Sequence, residues 1–159
     1  MNHNAATTQS FVLFELAGTT YGIPSESIRQ IEMVETITPV PHASRVVEGV
    51  VFSRGNVIPA INLRQRFGFE KIPHDSRTRL VIVARHDRVV GLLVDSAREF
   101  VAIDVDSIQP PPEGLAELSG KYLRSIARIS DRLVLVLDVD EVLNFADVAA
   151  PAAEHAEQR

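Results

Sequence analysis

The stretch Gly49-Val50-Val51-Phe52-Ser53-Arg54-Gly55-Asn56-Val57-Ile58-Pro59-Ala60-Ile61-Asn62-Leu63-Arg64 reads as strand, two-residue turn, strand and helix start in immediate succession. Two runs rich in Val, Ile and Phe flank Arg54-Gly55, and glycine at such a turn supplies the positive φ that a tight hairpin needs. The runs extend over Val46–Ser53 and Asn56–Asn62, the length of strands, and a short helix is predicted to follow over Leu63–Phe67.

The same texture continues in both directions. Towards the N-terminus, strands are predicted at Ser10–Leu16, Thr20–Ile23 and Arg29–Val34, with a tight turn at Ala17-Gly18-Thr19. Towards the C-terminus they are predicted at Arg79–Ala84, Val89–Val94, Glu99–Ile103, Tyr122–Ile129 and Arg132–Leu137, with turns at Arg85-His86-Asp87-Arg88 and Ser130-Asp131. Helix is confined to Leu63–Phe67, its counterpart Val139–Phe145, and a single turn at Ser25–Ile28 that Ser25 is placed to cap. The chain is therefore all-β with short helices.

The hairpins recur. A shift of 69 places sets Val12-Leu13-Phe14 on Val81-Ile82-Val83 and Tyr21-Gly22-Ile23 on Val90-Gly91-Leu92, with Ser27 and Arg29 on Ser96 and Arg98. A shift of 76 sets Val57-Ile58 on Leu133-Val134, Ile61-Asn62-Leu63 on Leu137-Asp138-Val139, and Phe67 on Leu143. The difference falls near Gln109–Gly114, where Pro110-Pro111-Pro112 marks an inserted loop. Each half reads as hairpin, short link, strands, second hairpin and helix. A five-strand unit with bare edges is an aggregation hazard, so closure into a barrel is expected, giving two similar barrels at about 10–72 and 78–146 inside one domain over 10–147. The flanks 1–9 and 148–159 have few large apolar side chains and are expected to be tails.

Composition narrows the function classes. With 159 residues and 45% hydrophobic content the chain can bury a core, and 16 basic against 21 acidic residues give a net charge of −5. That balance disfavours nucleic acid and anionic membrane surfaces as partners. The chain has no cysteine, which rules out disulfides and thiolate chemistry, and Met1–Ser10 is polar. A cytoplasmic, unprocessed protein is the expectation.

Catalytic patterns are absent. Histidines 3, 42, 74, 86 and 155 show no metal-ligand spacing, there is no Gly-x-Ser-x-Gly elbow, and Arg54-Gly55-Asn56 lacks the rest of a phosphate cradle. The acidic groups Asp138, Asp140, Glu141 and Asp104, Asp106 stand where a strand passes into a turn or helix and suit capping better than calcium binding. No cofactor or metal is expected, and the chain is read as not an enzyme.

The opening stretch, Gly49 to Arg64, resembles the signature of the CheW family, in which a strand, an Arg-Gly turn, a Val/Ile-Pro strand and an Asp-Leu-Arg ending follow in order. Phe11–Leu16 with Tyr21-Gly22-Ile23 is similar to the family's opening hairpin, and Val89-Val90-Gly91-Leu92-Leu93-Val94-Asp95 to its central strand. Ile108-Gln109-Pro110-Pro111-Pro112 is similar to its Pro-rich loop, and Asp131 to Asp138 to its closing hairpin. The resemblance spans about residues 10–146.

It implies two five-stranded, SH3-like β-barrels, in agreement with the repeat. It also implies a non-enzymatic adaptor that couples the cytoplasmic tip of chemoreceptors to the regulatory domain of the histidine kinase CheA, held in membrane receptor arrays by protein contacts. By resemblance Arg54 is the arginine associated with coupling, and Ile28, Gln30 and Ile31 match a first-barrel segment facing receptor or kinase. Val57, on the strand that follows Arg54, and Val89 and Val90, near the groove between the units, complete the expected partner-binding set. For Ile28, Ile31, Val89 and Val90 a core role is equally compatible with strand alternation. The chain departs from the family in carrying Phe52-Ser53 where Asn-Leu is usual and Asn62 where Asp is usual. Those departures suit an adaptor of a specialised motility or biofilm pathway; a small barrel binding a ligand or oligonucleotide is the alternative of a different class.

Overall fold

A computed structural model describes residues 7–114 and 120–144. Its strands are β1 (Thr8–Leu16), β2 (Thr19–Pro24), β3 (Ile28–Met33), β4 (Val47–Ser53), β5 (Asn56–Asn62), β6 (Arg79–Arg85), β7 (Arg88–Val94), β8 (Ser96–Asp104), β9 (Ile108–Gln109), β10 (Leu123–Ile129) and β11 (Arg132–Leu137). Two one-turn helices, α1 (Leu63–Arg66) and α2 (Val139–Val142), follow β5 and β11. The chain is all-β, as the sequence predicts. Strand β1 starts at Thr8, inside the expected tail, and the short β9 has no counterpart among the predicted strands. Ser25 heads a 3-10 turn whose N-cap is Pro24 and does not cap it. Residues 1–6 and 148–159 of the expected tails lie outside the described residues.

The strands form two sheets, in the orders β8-β1-β2-β11-β10-β9 and β3-β6-β7-β5-β4. In the first, β8 pairs with β1, and the chain then bends through Val105–Ser107 so that β9 pairs with β10 on the opposite edge. In the second, the chain beyond β3 makes the same return: Thr38 and Val50 exchange N–H···O bonds of 2.9 Å each. Counting each bent path as one strand, both sheets are five-stranded SH3-like barrels. The return onto β4 is tight enough to demand glycine, since a Cβ at Gly49 would lie 2.2 Å from the Thr38 carbonyl oxygen.

The repeat survives element for element. A shift of 76 carries β4 onto β10 and α1 onto α2 without error, and the parallel pairs Ala60↔Gly91 and Val136↔Gly22 occupy matching places. At Gly91 a Cβ would stand 2.6 Å from Leu80 Cδ1, so the small residue lets the barrel interior close.

The division at 72 and 78 is corrected. The second barrel is the continuous stretch β3 to β7, while the first is made of β1 and β2 together with β8 to β11. Each sequence repeat thus gives its leading hairpin to the other barrel. The links at the crossing points are short: three residues join β2 to β3 and one joins β7 to β8.

Three apolar clusters follow from this exchange. Phe11, Leu13, Val134 and Val136 fill one barrel, and Ile58, Leu80, Ile82 and Leu93 the other. Between the barrels lies the largest cluster among the described residues, including Phe14, Leu16, Ile23, Ile61, Val81, Val83, Val90, Leu92 and Leu137. Strands β1 and β6 are buried on both faces, which is why Phe11-Val12-Leu13-Phe14 and Leu80-Val81-Ile82-Val83 read as unbroken apolar runs.

Polar contacts reinforce the junction. Arg64 on α1 donates to both oxygens of Asp95 (2.8 and 2.9 Å), and Asp95 also accepts from the Ala17 amide at the β1–β2 turn (2.8 Å). Burial alone would push the Asp95 carboxyl up, but the Arg64 and Ala17 hydrogen bonds and the Arg64 charge hold it below the usual range. At the pseudo-equivalent place Arg85 donates to both oxygens of Asp140 on α2, and this bond holds the Asp140 carboxyl down. Asp138 caps α2 and Asp104 caps the Val105–Ser107 turn, as expected of these acids.

Candidate functional site

The hairpin β4–β5 is built so that Arg54 stands at its tip. Arg54 and Gly55 both have positive φ (50° and 86°), the type I′ geometry whose twist matches the flanking strands. Ser53, the last residue of β4, is buried, and its hydroxyl donates to Glu32 Oε2 at 2.7 Å while accepting from Gln30 Nε2 at 3.2 Å. This clasp ties β3 to β4 across the gap between the two edges of the barrel, below the Thr38–Val50 bridge. It thereby fixes the direction in which the Arg54 hairpin projects.

Four of the seven expected residues gather here. Gln30, Arg54, Val57 and Val89 line one cleft of ≈ 330 Å³ at the end of the second barrel, together with Arg29 and Asp87. Val57 is 65% exposed, and Val89 is partly covered by the barrel core.

The other three turn away from it. Val90 is buried in the cluster between the barrels, and Ile28 and Ile31 pack against that cluster. A regular strand would send residues three apart to opposite faces. A bulge between Ile28 and Gln30 puts both isoleucines on the inner side and leaves Gln30 and Glu32 facing Ser53.

Sequence reasoning did not place Ser53, which lines the cleft, or Glu32, which holds Ser53, in the site, nor Phe52 and Met33, which line the neighbouring groove. Phe52 is 74% and Met33 62% exposed. The signal for Phe52 was present in the strand alternation, since Val51 and Ser53 point inward and the residue between them must point out.

The second departure also has a physical reading. Asn62 is buried; its carbonyl oxygen accepts from the Gln65 amide as the cap of α1, and its Nδ2 donates to Glu48 Oε1 at 2.8 Å. An amide can serve both roles beside a carboxylate, whereas an Asp there would face Glu48 with like charge. Glu48 in turn lies 3.3 Å from His74 Nε2 on the connector to β6.

Comparison with known proteins agrees with this architecture. The CheW-like domain family matches residues 10–147. The chain is 34% identical to Chemotaxis protein CheW of Helicobacter pylori over 84% of this chain and 80% of that protein. It is 26% identical to Protein FrzA of Myxococcus xanthus, over 95% and 91% of the two chains. The crystal structure of scaffolding protein TtCheW from Thermoanaerobacter tengcongensis superposes with a TM-score of 0.80 at 28% identity, covering 87% of this chain and 94% of that one.

Proposed function

Because the chain belongs to the CheW-like domain family, we propose that it is a non-enzymatic chemotaxis adaptor that couples chemoreceptors to the histidine kinase CheA. The observation that carries the assignment of a surface is the convergence of Arg54, Gln30, Val57 and Val89 on one cleft of the second barrel. An exposed arginine on a rigid turn beside apolar side chains has the make-up of a protein-binding hot spot. The clasp through Ser53 holds that arginine without occupying it. Coupling then depends on interface geometry alone. The protein works in the cytoplasm, attached to receptor arrays through its partners; no described helix is long and apolar enough to cross a membrane.

The test is a calorimetric titration of the purified protein with the CheA regulatory domain of the same organism and, separately, with a receptor tip. Wild type is expected to bind the kinase domain one to one. Arg54→Ala and Val57→Asp, both at exposed positions, are expected to weaken binding at least about tenfold, a loss of about 1.4 kcal/mol. Unchanged affinity in both variants would remove this cleft as the kinase surface.

A further inference from the structure

The outward face of the β4–β5 hairpin is apolar where a barrel exterior is usually polar. Phe52 and Val57 stand directly opposite each other and are 74% and 65% exposed, and the next pair along the same face, Val50 and Pro59, is half-buried. Beside them runs a groove of ≈ 630 Å³ between residues 32–37 and 51–54, walled by Met33, Val34, Ile37 and Phe52 and carrying both Glu35 and Arg54. The edge of β4 is open at this point. Val50 directs its backbone N–H and C=O to Thr38, and by ladder alternation those of Phe52 point to the same side, where no described strand pairs with them.

A protruding aromatic ring, an apolar slot, an acid and a base therefore share one small surface of one chain. That combination is self-complementary, which is what a twofold contact between identical subunits requires. We propose that this face is a weak homodimer contact, in which Phe52 of each copy enters the groove of the other and Arg54 of each copy meets Glu35 across the axis. The contact comprises one inserted aromatic ring and one ion pair from each copy, so a weak, concentration-dependent association is expected. The proposal does not rest on the adaptor reading, because it concerns the protein alone and is decided first by the sedimentation of the protein by itself.

Sedimentation velocity of the full chain across a wide concentration range decides it. Wild type is expected to shift from monomer towards dimer as concentration rises, and Phe52→Asp to remain monomeric with an unchanged circular dichroism spectrum. Arg54→Glu and Glu35→Arg are each expected to weaken self-association at least about tenfold by setting like charges together. An equimolar mixture of the two is expected to recover it, since in the mixed dimer both pairs are again opposite in sign. Wild type that stays monomeric to millimolar concentration, or a mixture no stronger than the single variants, overturns the proposal. Loss of kinase binding in Phe52→Asp when wild type is monomeric would give the face to a different protein partner and overturn it equally.

Discussion

Asp95 shows how much a single side chain can hold in a junction of this kind. It accepts three hydrogen bonds, two from Arg64 and one from the Ala17 amide, and so joins α1, the end of β7 and the turn between β1 and β2. Asp95→Asn keeps one acceptor oxygen but loses the charge and leaves Arg64 without its counter-ion, an expected cost of about 1–3 kcal/mol at neutral pH. The pH dependence has a definite sign. The folded-state carboxyl is held below its unfolded value of about 3.9, so its contribution is present above that pH and fades as pH falls through the folded value. Urea unfolding between about pH 3 and pH 7 should show wild type losing its advantage over Asp95→Asn in acid. Asp75 and Asp140 are also held low, so the variant retains some acid sensitivity of its own. Parallel wild-type and variant curves would mean that Asp95 contributes by packing and not by charge.

At the level of elements, the hairpins and helices were legible because each is announced locally: Arg54-Gly55 dictates a turn, and Asn62 and Asp138 precede helices they cap. What local signals could not give is which sheet a hairpin joins, or the bulge that puts Ile28 and Ile31 on the same face. For the site, the tip residue Arg54 was readable from the turn and the family resemblance, whereas Ser53 and Glu32 come together beside it only through the curvature that brings β3 to β4. The helix cap gives a prediction at the same scale. In Asn62→Asp the helix keeps its acceptor for the Gln65 amide but loses the bond from Nδ2 and sets two carboxylates together, partly offset by Lys71 near Glu48. The variant is expected to lose about 1–3 kcal/mol at pH 7. Like-charge proximity raises the pair's apparent pKa, so the deficit should shrink as pH falls and one carboxyl takes a proton. Chemical denaturation at pH 7 and at about pH 4.5 measures both. Equal stability at pH 7 would mean that Glu48 rotates away from the new charge.

For the whole molecule, the exchange of hairpins makes the barrels interdependent. The stretch β3 to β7 contains every strand of the second barrel, yet in isolation it would bare Ile61, Leu63, Val81, Val83, Val90 and Leu92 to water, keeping only the small interior cluster around Ile58, Leu80 and Ile82. A chain of about 65 residues is marginal even with an intact core, so residues 28–94 are not expected to fold alone. Residues 10–72, the first repeat, lack β6 and β7 and cannot complete the same sheet. The full chain should therefore unfold in one step, with thermal transitions by circular dichroism and tyrosine fluorescence coinciding and the calorimetric and van't Hoff enthalpies equal. Two resolved transitions, or a cooperatively folded 28–94 fragment, would show that the barrels are held by their own cores and that the cluster between them is an interface only. A single transition would instead mean that a partner gripping one barrel acts on a molecule without an internal hinge, so that whatever docks at the Arg54 hairpin is held rigidly with respect to everything bound elsewhere on the chain.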